Sequence, residues 1–120
     1  MSNIINLTTL KDERGNLTVI EKCLPFDIKR VYYIYGVDNS IRGQHRHHTA
    51  IQAAICLTGS CKIYCNDGEH EVIYNLNSPI KCLLLEPKDW HKMYDFSSDA
   101  ILLVMASEYY DPQDYITTPY

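Results

Sequence analysis

Apolar residues at helical spacing are hard to find anywhere in this chain. The apolar positions fall instead into short runs rich in Ile, Val, Leu, Tyr and Cys, which is the pattern of strands. The runs are Ile4–Leu7, Asn16–Glu21, Arg30–Tyr35, Ile51–Leu57, Cys61–Tyr64, Glu71–Leu76, Ile80–Leu85 and Ile101–Ala106. Turn formers separate several of them: Arg14-Gly15-Asn16, Thr58-Gly59-Ser60, Asn66-Asp67-Gly68 and Asn77-Ser78-Pro79. Gly, Asn and Asp accept the positive φ of tight hairpins, and Pro interrupts a strand ladder. Many short strands with close turns predict an all-β sandwich or barrel. At 120 residues, 46% of them hydrophobic, the chain suffices for one core. A single domain over residues 1–120 is expected, with no linker or repeat. The tail from Tyr109 to Tyr115 is polar and aromatic, and is expected to pack across the barrel without extending a sheet.

The formal charge of −4 and the lack of a basic run argue against nucleic acid as a partner. A small anionic ligand needs only a few placed arginines. The N-terminus has no basic stretch followed by an apolar one, and no run is long enough to span a bilayer. A cytoplasmic protein is expected, without membrane contact. Cys23, Cys56, Cys61, Cys65 and Cys82 are odd in number, which fits free thiols with structural roles. Ten tyrosines stand against two phenylalanines. Rings with a polar tip suit a wet cavity or a subunit interface.

Chemistry concentrates in Arg42-Gly43-Gln44-His45-Arg46-His47-His48. On a strand, His45 and His47 point to one side, and Arg46 and His48 to the other. Two imidazoles on an inner face are costly as filler, because each brings two ring nitrogens to satisfy. The spacing from His45-x-His47 through Gln52 to Gly59 resembles the first cupin motif. In that motif Glu stands where this chain has Gln52, and the Glu and histidines bind a divalent metal. A second cupin motif is partly present in Glu86-Pro87-Lys88-Asp89-Trp90-His91. A neutral amide is a poorer ligand than a carboxylate, so no metal and no other cofactor is expected. The alternatives are a metal-dependent cupin enzyme or a non-catalytic sugar-binding cupin. Without metal, an imidazole with a pKa near ~6.5 suits moving a proton next to a carbonyl.

Nearly the whole chain resembles the sugar 3,4-ketoisomerases, the FdtA- and QdtA-like or WxcM-like cupins. The likeness runs through Asp12-Glu13-Arg14-Gly15-Asn16-Leu17, the stretch Pro25 to Ile34, Arg42-Gly43-x-His45-x-His47 and Cys56-Leu57-x-Gly59-Ser60-Cys61. It continues through Asn66-Asp67-Gly68, Trp90-His91-x-Met93, Asp95 to Asp99, and Ser107-x-Tyr109-Tyr110-Asp111-x-x-Asp114-Tyr115-Ile116. The resemblance implies a cupin, RmlC-like jelly-roll β-barrel. It implies metal-free conversion of a dTDP-4-keto-6-deoxy-D-glucose into a dTDP-3-keto-6-deoxyhexose, an early step toward 3-amino sugars of bacterial surface glycans. It also implies a homodimer that exchanges N-terminal strands.

Residue by residue, the resemblance makes His47 the base that takes the C3 proton and Tyr33 a helper in the proton transfers. His45 and Arg42 stand beside them in the catalytic set. Charge developing on the C4 oxygen calls for a donor, with Tyr33, His45 and Arg42 as candidates. The diphosphate calls for cations, with Arg14, Arg42 and Arg46 as candidates. Gln52, Trp90, His91 and Tyr94 are expected in substrate binding. Arg46, where relatives carry a small residue, is a departure from the pattern.

Overall fold

The alternation that begins at Cys61 is carried into the computed structural model, which describes residues 1–120. Cys61, Ile63 and Cys65 are buried, while Lys62, Tyr64 and Asn66 are partly exposed. The strands are β1 (Asn3–Asn6), β2 (Thr8–Asp12), β3 (Gly15–Val19), β4 (Arg30–Ile34), β5 (Arg42–His47) and β6 (Gln52–Thr58). They continue with β7 (Cys61–Asn66), β8 (Glu71–Leu76), β9 (Lys81–Leu85), β10 (Trp90–Tyr94), β11 (Ile101–Ala106) and β12 (Tyr115–Ile116).

The main sheets run β1-β9-β6-β11-β4 and β12-β5-β10-β7-β8, and β2-β3 forms a separate hairpin. Without β1 and β12, the eight strands β4 to β11 divide between the sheets in the jelly-roll order, β9-β6-β11-β4 against β5-β10-β7-β8. The two sheets face each other as separate hydrogen-bonded units, so the expected barrel is a sandwich not closed by strand pairing. The expected strands all form, with ends moved by a residue or two. β2, β10 and β12 lie outside the expected runs, as does β5 except as the strand taken to carry the histidines, and the tail does extend a sheet, through Tyr115↔His47 and Ile116↔Arg46.

Most of the core lies between the sheets. Ala54, Cys56, Cys61, Ile63, Cys65, Leu76, Leu83, Leu85, Met93, Leu102 and Val104 form one cluster. Fully burying a Leu or Ile contributes about 1.5–3 kcal/mol, so this cluster dominates the stability. A smaller cluster covers the outside of the first sheet. There Ile20, Leu24 and Phe26, from the β3–β4 connection, pack on Ala53, Ile55, Cys82 and Met105. β6 is therefore covered on both faces, and Gln52 to Cys56 are all buried, without the period of two. Four cysteines are core residues as expected, whereas Cys23 is exposed.

Candidate active site

β5 brings its histidines into the sandwich through a local distortion. Gly43 and Gln44 both have positive φ, at 84° and 62°. β10 pairs His91 with His45 but Lys92 with Gly43, which leaves Gln44 as an extra residue. Gly43 is required on a second ground, because a Cβ there would lie 3.1 Å from the His91 carbonyl oxygen. The bulge sets the His45 ring 4.9 Å from that of His91 and 5.0 Å from that of His47, centroid to centroid.

Each of these three rings has Nδ1 engaged. His45 Nδ1 donates to the Gly43 carbonyl at 3.0 Å, and His91 Nδ1 to the Asp89 carbonyl at 3.0 Å. His47 Nδ1 faces Asp114 Oδ2 at 3.1 Å. A carbonyl only accepts, so neutral His45 and His91 carry their proton on Nδ1 and leave Nε2 bare. Nε2 of His47 and of His91 is buried without a partner. His45 is half-buried, and its Nε2 is not sealed in this way.

Burial, reinforced by the two neighbouring rings, pushes His91 down to about 3, so it is neutral at physiological pH. Burial and then His47 hold His45 below the ordinary imidazole value. Burial also lowers His47, against the opposing pull of Asp114. The site thus holds neutral imidazoles rather than a cluster of cations.

Gln52 and Tyr32 complete the inner surface. Gln52 Nε2 donates to the Tyr32 hydroxyl oxygen at 3.2 Å, while Gln52 Oε1 is buried and unpartnered. Burial raises the Tyr32 phenol, as does nearby Tyr115, so it keeps its proton. The Tyr115 ring lies 4.6 Å from both His45 and His47. Arg30, Tyr110, Asp111 and Tyr115 help to close a pocket of about 10 Å³ over His47 and Gln52, room for about one water.

Several expected site residues lie elsewhere. Tyr33 is 61% exposed and stacks on Tyr35, so Tyr32, one residue earlier, is the tyrosine on the histidine side. Trp90 and Tyr94 share the outer face of β10 with Lys92, opposite His91 and Met93, because alternate residues cannot share a face. Trp90 packs against Tyr64 and donates from Nε1 to the Thr117 carbonyl at 3.1 Å. Arg46 stacks over Tyr120 on the same outer face. Arg14 is paired with Asp12 at the tip of the β2–β3 hairpin. Arg42 is exposed and lines a surface depression with Asp38 and Phe96. The arginine that lines the histidine pocket is Arg30, which lies over the rings of Tyr32 and Tyr110.

Sequence reasoning missed Arg30, Tyr32, Asp114 and Tyr115 as members of the site. All four fall in stretches that carried the family resemblance. The cupin motif positions are filled by His45, His47, Gln52 and His91. An amide brings no charge to such a set, and no group of three His, Cys, Asp or Glu side chains is spaced to hold a metal ion.

A jelly roll with histidines on the inner face of one sheet defines a cupin of the RmlC-like kind. RmlC from Legionella pneumophila, a dTDP-6-deoxy-D-glucose-3,5-epimerase, superposes with a TM-score of 0.83 over 99% of this chain and 73% of its own, at 18% identity. The family described as FdtA: WxcM-like, C-terminal, matches residues 1–119, and the chain belongs to it. The TDP-4-oxo-6-deoxy-alpha-D-glucose-3,4-oxoisomerase of Aneurinibacillus thermoaerophilus is 44% identical over 96% of this chain and 85% of its own length. The 3,4-ketoisomerase QdtA of Thermoanaerobacterium thermosaccharolyticum, solved as a histidine-to-asparagine mutant with TDP-4-keto-6-deoxyglucose, is also 44% identical. It superposes with a TM-score of 0.93 over 98% of this chain and 87% of its own.

Proposed function

We propose that this chain is a TDP-sugar 3,4-ketoisomerase that moves the ketone of TDP-4-keto-6-deoxyglucose from C4 to C3. The observation that carries this reading is the unsealed, bare Nε2 of His45 on the same inner surface as the Tyr32 phenol. His45 takes the C3 proton, and the electrons of that bond form the C3–C4 double bond while charge moves onto O4. Tyr32 accepts a hydrogen bond from Gln52, so its own proton is free to go to O4. The proton on His45 then returns to C4 as the C3 ketone forms, and Tyr32 recovers a proton from O3. His45 and Tyr32 end as they began, and no metal or redox partner enters the balance. The open edge of His45 supports giving it the carbon proton, beside His47, the base that the family resemblance implies. Arg30, flanked by Tyr32 and Tyr110, is the cation placed for the anionic part of the substrate.

Incubating the protein with TDP-4-keto-6-deoxyglucose in deuterated buffer tests this. The expected result is deuterium at the exchanging carbon and a new 3-keto sugar by NMR. Unchanged substrate would remove the proposal. Tyr32→Phe is expected to lower turnover by about 10²-fold, in the range for losing an acid–base group. Tyr33→Phe should act as the parent does, and equal losses in the two would reject the placement of the shuttle on Tyr32.

The assembly is proposed to be a homodimer with exchanged N-terminal strands. The β2–β3 hairpin pairs with neither main sheet and leaves Leu10 and Leu17 exposed. A second chain would cover these residues and receive Arg14 at the hairpin tip. Sedimentation should return a dimer, and Leu10→Asp/Leu17→Asp a monomer. A monomeric parent protein would refute the exchange. A cytoplasmic setting, where the product serves 3-amino sugar synthesis for surface glycans, belongs to the same reading. No helix is long and apolar enough to cross a membrane.

A further inference from the structure

Asp114 is more heavily hydrogen-bonded than a turn residue requires. It ends the 3-10 turn Pro112–Asp114, just before β12, and its side chain is 10% exposed. Oδ1 accepts from the Thr49 amide at 2.9 Å and from Thr49 Oγ1 at 2.5 Å. Oδ2 accepts from the Ala50 amide at 3.1 Å and faces His47 Nδ1 at the same distance. Its backbone carbonyl accepts from the His48 amide at 2.9 Å. Burial pushes this carboxyl up, but the Thr49 and Ala50 donors and His47 outweigh it and hold Asp114 below its ordinary value. Asp114 is therefore ionised, and an ionised carboxylate requires the proton on His47 Nδ1.

The groups facing His47 are His45 on its own strand, His91 on β10, Gln52 on β6, Arg30 on β4, and Tyr115 beside Asp114. Glu108 and Asp111 line the small pocket over His47 as well, and Asp114 is the carboxylate that touches its ring. His45 and His91 rest on neutral carbonyls. We infer that Asp114 is a positioning residue that fixes His47 as the Nδ1–H form and holds its ring edge-on against His45, 5.0 Å between centroids. The same carboxylate offsets the positive charge that His45 gains when it holds the carbon proton. This role rests on the ketoisomerase reading, while the protonation state of His47 does not.

The competing role is a staple that merely ties the tail to the segment after β5. Thr49→Val removes one bond to Asp114 without touching His47, so it weakens a staple and spares the positioning. Asp114→Asn removes the charge and turns an amide or its oxygen toward Nδ1. Nitrogen-15 NMR of the unliganded parent should show His47 protonated at Nδ1 with Nε2 bare, and Asp114→Asn should alter that pattern. In turnover, Asp114→Asn is expected to lower kcat by about 10- to 100-fold, with little change in KM. Thr49→Val should keep both the pattern and kcat. A parent His47 protonated at Nε2, or unaltered by Asp114→Asn, would overturn the inference. So would a parent-like kcat in Asp114→Asn with a melting temperature lowered as much as in Thr49→Val. A parent that binds TDP but converts no keto sugar would instead count against the ketoisomerase reading, leaving the NMR pattern to decide on Asp114.

Discussion

His45→Asn is expected to reduce turnover by about 10²–10⁴-fold, the usual contribution of a general acid–base group. Asparagine keeps a polar group of similar reach but has no site that takes a proton near neutral pH. The ring leaves no large void, because His45 is half-buried. The variant should therefore fold, bind TDP and show no deuterium incorporation into the sugar. In the parent, burial and His47 lower the pKa of His45, so the neutral base persists into mildly acidic solution. Activity should fall on the acid side with a midpoint below the ordinary ~6.5 of imidazole. Parent-like exchange in His45→Asn would pass the carbon proton to His47.

Gly59→Ala carries the largest expected effect on folding. Gly59 turns the chain from β6 in one sheet to β7 in the other, with φ at 70°. A Cβ there would collide with Ser97 Oγ and lie 2.6 Å from Asp99 Oδ1 and 2.9 Å from the Ala100 Cα. Ser97 has little freedom to yield. Its Oγ accepts from the Ser60 amide at 2.9 Å and donates to Asp99 Oδ1 at 2.7 Å. The left-handed backbone costs a non-glycine residue about 1–2 kcal/mol, and crowding in a packed site adds about 1–3 kcal/mol. The sum is a large share of a typical total of about 5–15 kcal/mol. Urea unfolding should show a lower midpoint at unchanged slope. A loss under about 1 kcal/mol, within the run of ordinary substitutions, would show that the corner gives way.

The jelly roll was legible because turn residues and apolar alternation agree along most of the chain. β10 was not, since Trp90-His91-Lys92-Met93-Tyr94 puts large side chains on both faces and offers no clean period. The same ambiguity hid the site tyrosine. Arg30-Val31-Tyr32-Tyr33-Ile34 is largely apolar on both faces, and only the sheet partners decide that Tyr32 turns inward. The inward direction of His45 and His47 followed from alternation, and the structure shows their rings in contact. Expecting Trp90, His91 and Tyr94 together in one site conflicted with that same alternation. Asp114 reaches His47 across 67 positions of sequence, a contact that no local pattern announces. Nothing in the sequence separates Arg30, at the pocket wall, from an arginine at a turn.

Trp90, the only tryptophan of the chain, gives its indole N–H to the Thr117 carbonyl on the far side of β10 from the histidines. The position makes it a native optical gauge. Indole emission responds to the polarity and hydrogen bonding of that one N–H, so its colour and intensity register whether the tail is seated. A sugar among the histidines would sit across the sheet from the ring and would not quench it by contact. Fluorescence would then follow the seating of the tail separately from occupancy of the site, without any attached label.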